Sequence, residues 1–531
     1  MRITERHTQV VIIGAGPSGL MMAAQLLRNG VQPVIIDSRQ GPTSHSKALA
    51  VQARSVEIYR QMGLADELLL HSTHAEGVKL YQQGKEAAAL SLAEAGLGQT
   101  LFPHIYLYEQ SKNERLLLND LTRHCCPVYW DTTLTGLVQH ADHVTLQLKT
   151  SDQEYTLNCD WLIGADGAHS TLRHQLQIPF KGDTYPHEFF LADVRLKQVP
   201  FEPKEVQLYL NKARFAAFFP MQEENAYRIV GSIPVELATE NLQLDDMSAS
   251  LNQTTGFTLQ PEQCRWFTTY RLHHRMAEKF NHNRCFLIGD AAHIHSPVGG
   301  QGMNTGLQDA YNLAWKLAGV VKQQLLPDIL NTYAAERMPV AAELLKTTDR
   351  AFNLITSKSL VAGLFKKLAL PRLLNWLWKN EKVRKIFFAQ VSQTGISYRN
   401  SKLSLHLSQA GAIKAGDRLP YLKIYDEKKK RETDLHAWCG KPGFTLITIG
   451  PLNEQELFTF AKWITQGYSS YLNFFHLPPS DKNQQVFDRF EIKQGHIKAL
   501  VVRPDMYIGL LSDMADVETV GNYLRNVVGM N

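Results

Sequence analysis

The first forty residues contain the feature that most restricts what this chain can become. VVIIGAG is a continuous buried-strand run that ends in glycines, and PSGLMMAAQLLRNG follows with apolar residues at helical spacing and Gly30 placed as a helix C-cap. VQPVIIDS then reads as a second strand, which completes a βαβ unit. Gly14, Gly16 and Gly19 form GxGxxG between the first strand and the helix, and Pro17 and Ser18 open that helix. The first glycine permits the tight turn, the second lets a pyrophosphate approach the backbone, and the third lets helix and strand pack closely, while the helix N-terminus faces the anion. Asp37 lies 23 residues beyond Gly14 at the end of the second strand, placed to accept a hydrogen bond from an adenosine ribose, with Ser38 and Arg39 directly after it. The unit calls for a bound dinucleotide and does not distinguish FAD from NAD(P).

The rest of the 531-residue chain organises around this unit. At roughly 150 residues per domain the length suggests about three domains, and 44% hydrophobic with 20% charged residues argues against disordered, collagen-like or disulfide-framework stretches. Helical pattern resumes near Arg54 to Leu70 and again from Gln110 to His124. From about Pro179 to Tyr270 short strands dominate (EVQLYL, ARFAAFF, AYRIVGSI), which reads as an antiparallel sheet inserted between two parts of the nucleotide-binding fold. A long helix is expected from roughly Asn304 to Val321, more helices to about Gln390, and mixed strands and helices from about Gly416.

Two later segments narrow the cofactor. In GADGAHSTLR a strand delivers Asp166 and Gly167 to its C-terminal end, ahead of Ser170 and Arg173. In RCFLIGDAAHIHSPVGGQGMNTGLQDA a strand delivers Gly289 and Asp290 before a proline and glycine loop opens a helix near Asn304. With the N-terminal glycines, these three motifs resemble the fingerprints of the FAD-dependent aromatic hydroxylases, the single-component flavoprotein monooxygenases. The resemblance implies a Rossmann-type FAD-binding domain in two parts (1–178 and 276–395), a substrate-binding sheet (179–275) and a thioredoxin-like C-terminal domain (396–531), an α/β protein overall.

The resemblance also assigns roles. Asp290 would hydrogen-bond the flavin ribityl chain, Pro297 would sit beside the isoalloxazine ring, and backbone N–H groups around Gly302, Met303 and Asn304 would face the pyrimidine edge. Small residues at Gly299, Gly300 and Gly302 let the backbone come close, and a helix N-terminus there suits the negative charge of reduced flavin. Asp166 and Gly167 are associated with handling both FAD and NAD(P)H, while Arg54 and Gln110 match positions that touch the flavin or its ribityl chain. FAD is expected to be tight and non-covalent, with NAD(P)H a transient co-substrate, since no separate nicotinamide domain is recognisable. Gly300, Gly302 and Gly306 follow their strand too late to be a second dinucleotide fingerprint.

The implied reaction is oxygen- and NAD(P)H-dependent hydroxylation of an aromatic, phenolic or polyketide-like substrate through a flavin hydroperoxide. A flavin dehydrogenase or oxidase on the same fold, or a non-catalytic flavin-binding protein, are the alternatives. The catalytic base is not identified by sequence. Strand alternation offers Tyr209, Arg214, Phe218 and Tyr227 as pocket-lining positions, although it suits core or surface roles as well.

Other constellations carry less. Asp290, His293 and His295 fall in the flavin loop, so no metal site is expected, and no GxSxG elbow occurs. The six cysteines form no CxxC pair and read as reduced thiols, with Cys439 alone in the C-terminal segment, which excludes redox cycling there and leaves a structural or homodimer-forming role. No apolar run spans a bilayer and no secretory signal is visible, so a cytoplasmic place is expected. The net charge of +5 is concentrated: Asn353 to Gln390 holds eight Lys/Arg against one Glu, a local +7, leaving −2 for the rest. That distribution does not suggest a nucleic-acid binder. We read the stretch as a solvated helical connector in preference to peripheral membrane attachment.

Overall fold

A computed structural model describes the chain except for residues 1, 2, 4, 5, 45–47, 83, 212, 213, 238–240, 296–299, 357–369 and 531. Among the described residues, helices of eight residues or more are α1 (Pro17–Arg28), α2 (Ala53–Gln61), α3 (Gln110–Arg123), α4 (Leu244–Thr255), α5 (Gly302–Val321), α6 (Asn331–Thr356), α7 (Leu370–Trp378), α8 (Glu381–Val391) and α9 (Glu454–Gly467).

The apolar run His7–Ile13 becomes the centre of a parallel sheet ordered Cys285–Leu287, Glu154–Gly164, His7–Ile13, Val34–Ile36, Val128–Tyr129. Val10, Val11 and Ile12 are fully buried, as expected of a strand covered on both faces. α1 packs beside α3 and α5. It ends at Asn29, and Gly30 follows with φ +78°, the left-handed conformation that lets the chain turn back into the second strand. The three cofactor motifs thus sit at the C-terminal ends of three parallel strands, where ligands of open α/β sheets bind.

The second sheet runs His293–Ile294, Pro261–Ala277, Phe180–Leu196, Ala226–Ser232, Arg214–Pro220, Glu205–Asn211, Gly77–Gln82, Lys85–Ser91. Its boundaries differ from the 179–275 expected. Gly77–Gln82 pairs in parallel with Glu205–Asn211, so two strands come from the N-terminal part of the chain. A parallel pair needs a long crossover, and no local turn signal announces it. α4, which sequence texture did not suggest, covers one face and packs over Tyr209, Phe218, Tyr227 and Ile229.

The last sheet is ordered Leu405–Leu407, Ile508–Ser512, Lys498–Val502, Phe444–Ile449, Leu472–Leu477. α9 connects the parallel pair Phe444–Ile449 and Leu472–Leu477, and the next two strands are antiparallel to their neighbours. All six cysteines are free.

Buried ions join this unit to the rest. Glu336 of α6 accepts from Arg503 Nη1 at 2.6 Å, Lys316 Nζ at 2.7 Å and Ser401 Oγ at 2.6 Å. Glu57 of α2 accepts from Arg54 Nη1 at 3.1 Å, Arg418 Nη1 at 3.0 Å and Thr100 Oγ1 at 2.8 Å. Removing one member of such a set strands an uncompensated charge, so we expect the C-terminal unit to depend on these contacts for its stability.

The same interface predicts a pH response. His436 is enclosed, with Nε2 2.8 Å from the Leu419 carbonyl, and burial pushes its imidazole down from 6.5 to about 4, with Arg418 nearby opposing a second cation. A depressed folded-state value means the unfolded chain takes up the proton first as pH falls. Stability from this site is therefore complete above about pH 6.5 and is lost on the way down to about pH 4. We expect the urea midpoint to fall between pH 7 and pH 5, and to fall less in His436→Gln. An equal slope in the variant would remove His436 from the account.

Candidate functional site

The Gly14 turn is tight because it is closed by the neighbouring strand. Its φ is +100°, and a Cβ there would lie 2.3 Å from the Ala165 carbonyl oxygen and 2.9 Å from Asp166 Cα. A Cβ at Gly19 would meet the Gly14 oxygen at 1.9 Å. The first motif is thereby pressed onto the second. Ser18 Oγ presses onto the third, at 2.3 Å from a Cβ on Gly289 and 2.2 Å from one on Gly306. Three motifs that are far apart in the chain thus converge on one point.

Gly16 behaves differently. A Cβ there meets no protein atom within 4 Å, so this position opens on free space at the N-terminus of α1, which has no side-chain cap. Pro17 lacks an N–H and suits the first helical position. The unpaired N–H groups of that first turn, with the helix dipole, make a place for phosphate oxygens.

Asp37, expected at the ribose end, is 6% exposed. Its Oδ2 accepts from the Ala15 N–H at 2.7 Å, and its Oδ1 from the Arg39 N–H at 2.8 Å. Arg39 also grips both oxygens with its guanidinium, at 3.0 Å each, and reaches Glu114 at 3.6 Å. Burial opposes ionisation of Asp37, but the hydrogen bonds from Arg39 and Ala15 outweigh it and hold its carboxyl below the usual range. Ser38 between them is exposed.

Asp166 follows the strand Glu154–Gly164. Its Oδ2 accepts from the Leu172 N–H at 3.1 Å, whereas Oδ1 is buried without a hydrogen-bond partner. Burial raises its carboxyl above the usual range. Gly167 turns the chain with φ +78°. Arg173, 2% exposed, ties this motif to the third by donating to the Ala168 carbonyl at 2.8 Å and the Ala291 carbonyl at 2.9 Å.

In the third motif Gly289 and Asp290 form a 3-10 turn, with Gly289 buried and Asp290 exposed. The turn is fixed by Asp309 of α5, which is fully buried. Its Oδ2 accepts from the Gly289 N–H at 3.1 Å and lies 2.7 Å from His293 Nε2, and its Oδ1 accepts from Arg337 Nε at 2.7 Å. Gly302 and Met303 open α5, whose N-terminus has no side-chain cap. Gly300 has φ +61° and is close to Ala50. Asn304 contributes a buried side chain: Nδ2 donates to the Ala50 carbonyl at 2.9 Å and the Gly300 carbonyl at 2.8 Å, and Oδ1 accepts from the Gln52 N–H at 2.8 Å. Pro297 lies outside the described residues.

Other expected residues stand elsewhere. Arg54 is 1% exposed, but its guanidinium points to Glu57 and to the Asp505 carbonyl at 2.7 Å, over the rings of Tyr311 and Tyr507. Its side chain ties α2 to the C-terminal unit and is not a cradle residue. Gln110 stays at the wall: its N–H donates to the Ala48 carbonyl at 3.1 Å, and its side chain to Glu114 at 3.0 Å.

The four substrate positions need correcting. Tyr209, Phe218 and Tyr227 are at most 3% exposed and form the core beneath α4, where Tyr209 stacks on Tyr81 at 4.6 Å. Arg214 donates to Gln253 of α4 at 2.7 Å. All four engage the α4 side of the sheet. Strand alternation offered them as pocket, core or surface positions without saying which face meets the cofactor. Phe189, Phe215 and Tyr270 point to the other face, with ring centroids 5.8 and 6.1 Å apart from Phe189, and there Tyr185 donates to Asp349 of α6 at 2.5 Å.

The missed residues are Asp309 and Arg337, and His293, weighed only as a metal ligand, is their partner. In the sequence Asp309 is one of several polar residues in its helix, and its partners lie 16 and 28 residues away.

A parallel sheet with three motif turns, two uncapped helix N-termini and a mostly antiparallel second sheet are the frame of a dinucleotide-dependent oxidoreductase of the flavoprotein type. Residues 7–348 match the family model described as FAD binding domain. The chain is 32% identical to 6-methylpretetramide 4-monooxygenase of Streptomyces rimosus over 75% of its own length and 71% of that protein's. It is 31% identical to pentachlorophenol 4-monooxygenase of Sphingobium chlorophenolicum, covering 77% and 75%. The solved structure of OxyS, an anhydrotetracycline hydroxylase from Streptomyces rimosus, superposes with a TM-score of 0.80 at 26% identity, over 98% of this chain and 99% of that one. The chain belongs to the FAD-dependent aromatic and polyketide hydroxylases and is an FAD-dependent monooxygenase.

The residues present fit FAD. Gly16 leaves space at an uncapped helix N-terminus, and Asp166 Oδ1 is a buried acceptor without a donor.

Proposed function

We propose that this enzyme hydroxylates a polycyclic, phenolic or polyketide-like substrate bound between the α5 N-terminus and the face of the second sheet opposite α4. The observation that supports this reading is the convergence of the three motifs at Gly14, Ser18 and Gly289, next to the open position at Gly16. Bound there, FAD supplies reduction by NAD(P)H and transfer of an oxygen atom from dioxygen. The first turn of α1 would hold the pyrophosphate, Asp37 would face the ribose, Asp290 the ribityl chain, and the N–H groups of Gly302, Met303 and Asn304 the pyrimidine edge. Asp166 Oδ1, buried without a partner, would be free to accept from the cofactor. The apolar face around Phe189, Phe215 and Tyr270 orients the aromatic rings and excludes water, which favours oxygen transfer over release of peroxide.

The names of the relatives support a multi-ring or phenolic substrate, since they are monooxygenases of 6-methylpretetramide and of pentachlorophenol. The mixed five-stranded sheet supports reading the C-terminal unit as thioredoxin-like, and Cys439, buried with its thiol pushed up to about 12 by burial, supports a structural role for it. Six free thiols support a reducing, cytoplasmic compartment. Nucleic acid has no place in this reading.

The test is to purify the yellow protein and measure NAD(P)H oxidation against a panel of phenols and polycyclic aromatics. At least one compound should accelerate oxidation and gain one oxygen atom. Flavin reduction that no aromatic compound accelerates would contradict the reading.

A further inference from the structure

We propose that an apolar face built by α7, α8 and the loop after the helical turn Leu92–Gly96 docks the enzyme on an anionic lipid surface. On α7, Leu373 and Trp376 are three residues apart, hence on one side of the helix, and are 41% and 69% exposed. On α8, Ile386 and Phe387 are 68% and 38% exposed, and Leu97 and Leu101 beside it are 63% and 44% exposed. The pieces adjoin. Trp378 meets Phe387 edge-on at 5.3 Å, Phe388 is buried against Gly96, and Gln99, between the two leucines, donates to the Lys385 carbonyl at 3.2 Å. Single exposed apolar side chains are ordinary, but six large ones on adjoining segments mark a surface that is covered in use.

Charge selects the occupant. α7 and α8 with their connection carry Arg372, Lys379, Lys382, Arg384 and Lys385 against Glu381 alone. A second copy bringing the same face about a two-fold axis would set like charges together. An anionic bilayer supplies both the opposite charge and the apolar depth, and a tryptophan with lysines around it is the side-chain set that suits the headgroup boundary. Among the described residues no helix is long and apolar enough to cross a membrane, so the contact is peripheral. The sequence alone favoured a solvated connector. The exposure of Trp376 and Ile386 reverses that preference.

The face also lies close to the site. α7 packs on the edge strand Lys85–Ser91 of the second sheet, and the carbonyls of Gln390 and Val391 at the end of α8 accept from Gln301, the residue that precedes α5. An apolar multi-ring substrate gathered by lipid would meet the enzyme beside its substrate sheet. This link rests on the proposed function, whereas lipid docking itself does not.

The experiment is co-sedimentation of the FAD-loaded full chain with vesicles of phosphatidylcholine, with and without phosphatidylglycerol. We expect binding only to the anionic vesicles, weakened by salt. Lys379→Glu with Lys382→Glu should weaken it about fivefold or more per position, and Trp376→Ala with Ile386→Ala at least as much, both with unchanged flavin absorbance as the check on folding. Equal binding to neutral vesicles, no binding to either, or wild-type binding by both variants would overturn the proposal. So would a lipid-free dimer that Trp376→Ala with Ile386→Ala dissociates, because the face would then belong to a second copy.

Discussion

Gly16→Val is expected to yield a folded protein that has lost its flavin. Gly16 has an ordinary φ of −77°, and a Cβ there touches nothing, so the stability of the flavin-free protein should change by no more than about 0.5 kcal/mol. The new side chain fills the space over the first turn of α1, where the pyrophosphate must approach the backbone. Affinity for FAD should fall by a hundredfold or more, about 3 kcal/mol. Gly14→Ala is the contrasting variant. Its φ of +100° and the Ala165 oxygen 2.3 Å away penalise any side chain, so it should damage the fold itself. Urea denaturation of the flavin-free proteins and flavin titration separate the two outcomes. If Gly16→Val keeps full flavin content, the cradle is not where we place it.

The second large effect is at Asp309. Asp309→Ala leaves the Arg337 guanidinium fully buried with only the Tyr398 hydroxyl and the Thr305 carbonyl as partners, and releases both His293 and the Gly289 amide. Loss of one member of a buried ion set costs about 3–5 kcal/mol. Flavin content should fall with it, because the Gly289–Ala291 turn that presents Asp290 loses its anchor. Asp309→Asn keeps the shape and part of the hydrogen bonding, and should cost less. Burial alone would raise the Asp309 carboxyl, but Arg337 and His293 outweigh it and hold it below the usual range. Its contribution is therefore present above the ordinary carboxylate range and is lost as pH falls through its lowered value. The pH dependence of unfolding in strong acid should flatten in Asp309→Asn. A variant as stable as wild type would show that the set is not coupled to the fold.

These two residues also show what was legible in the sequence. Gly14, Gly16, Gly19 and Asp37 were readable because a turn and a helix start are local, and each glycine answers a backbone requirement that recurs wherever a pyrophosphate meets a helix. Asp309 was not, because its meaning comes from Arg337 and His293, which reach it only through packing. Arg54 shows the opposite failure. A matching position suggested a flavin contact, and the side chain turns instead toward Glu57 and the Asp505 carbonyl. On the second sheet, alternation left Tyr209, Phe218 and Tyr227 open to pocket, core or surface roles, and only the covering helix α4 decides that theirs is the core face. The parallel pairing of Gly77–Gln82 with Glu205–Asn211 joins segments over a hundred residues apart, beyond the reach of any local signal.

The central claim is that this flavoprotein transfers oxygen to an aromatic substrate. It is tested most directly by turnover under isotopically heavy dioxygen, with NAD(P)H and a compound that accelerates its oxidation, followed by mass spectrometry of the product. The account predicts one heavy oxygen atom in the product for each NAD(P)H consumed, less any uncoupled peroxide. Unchanged substrate with peroxide equal to the NAD(P)H consumed, or a product oxygen drawn from water, would contradict it.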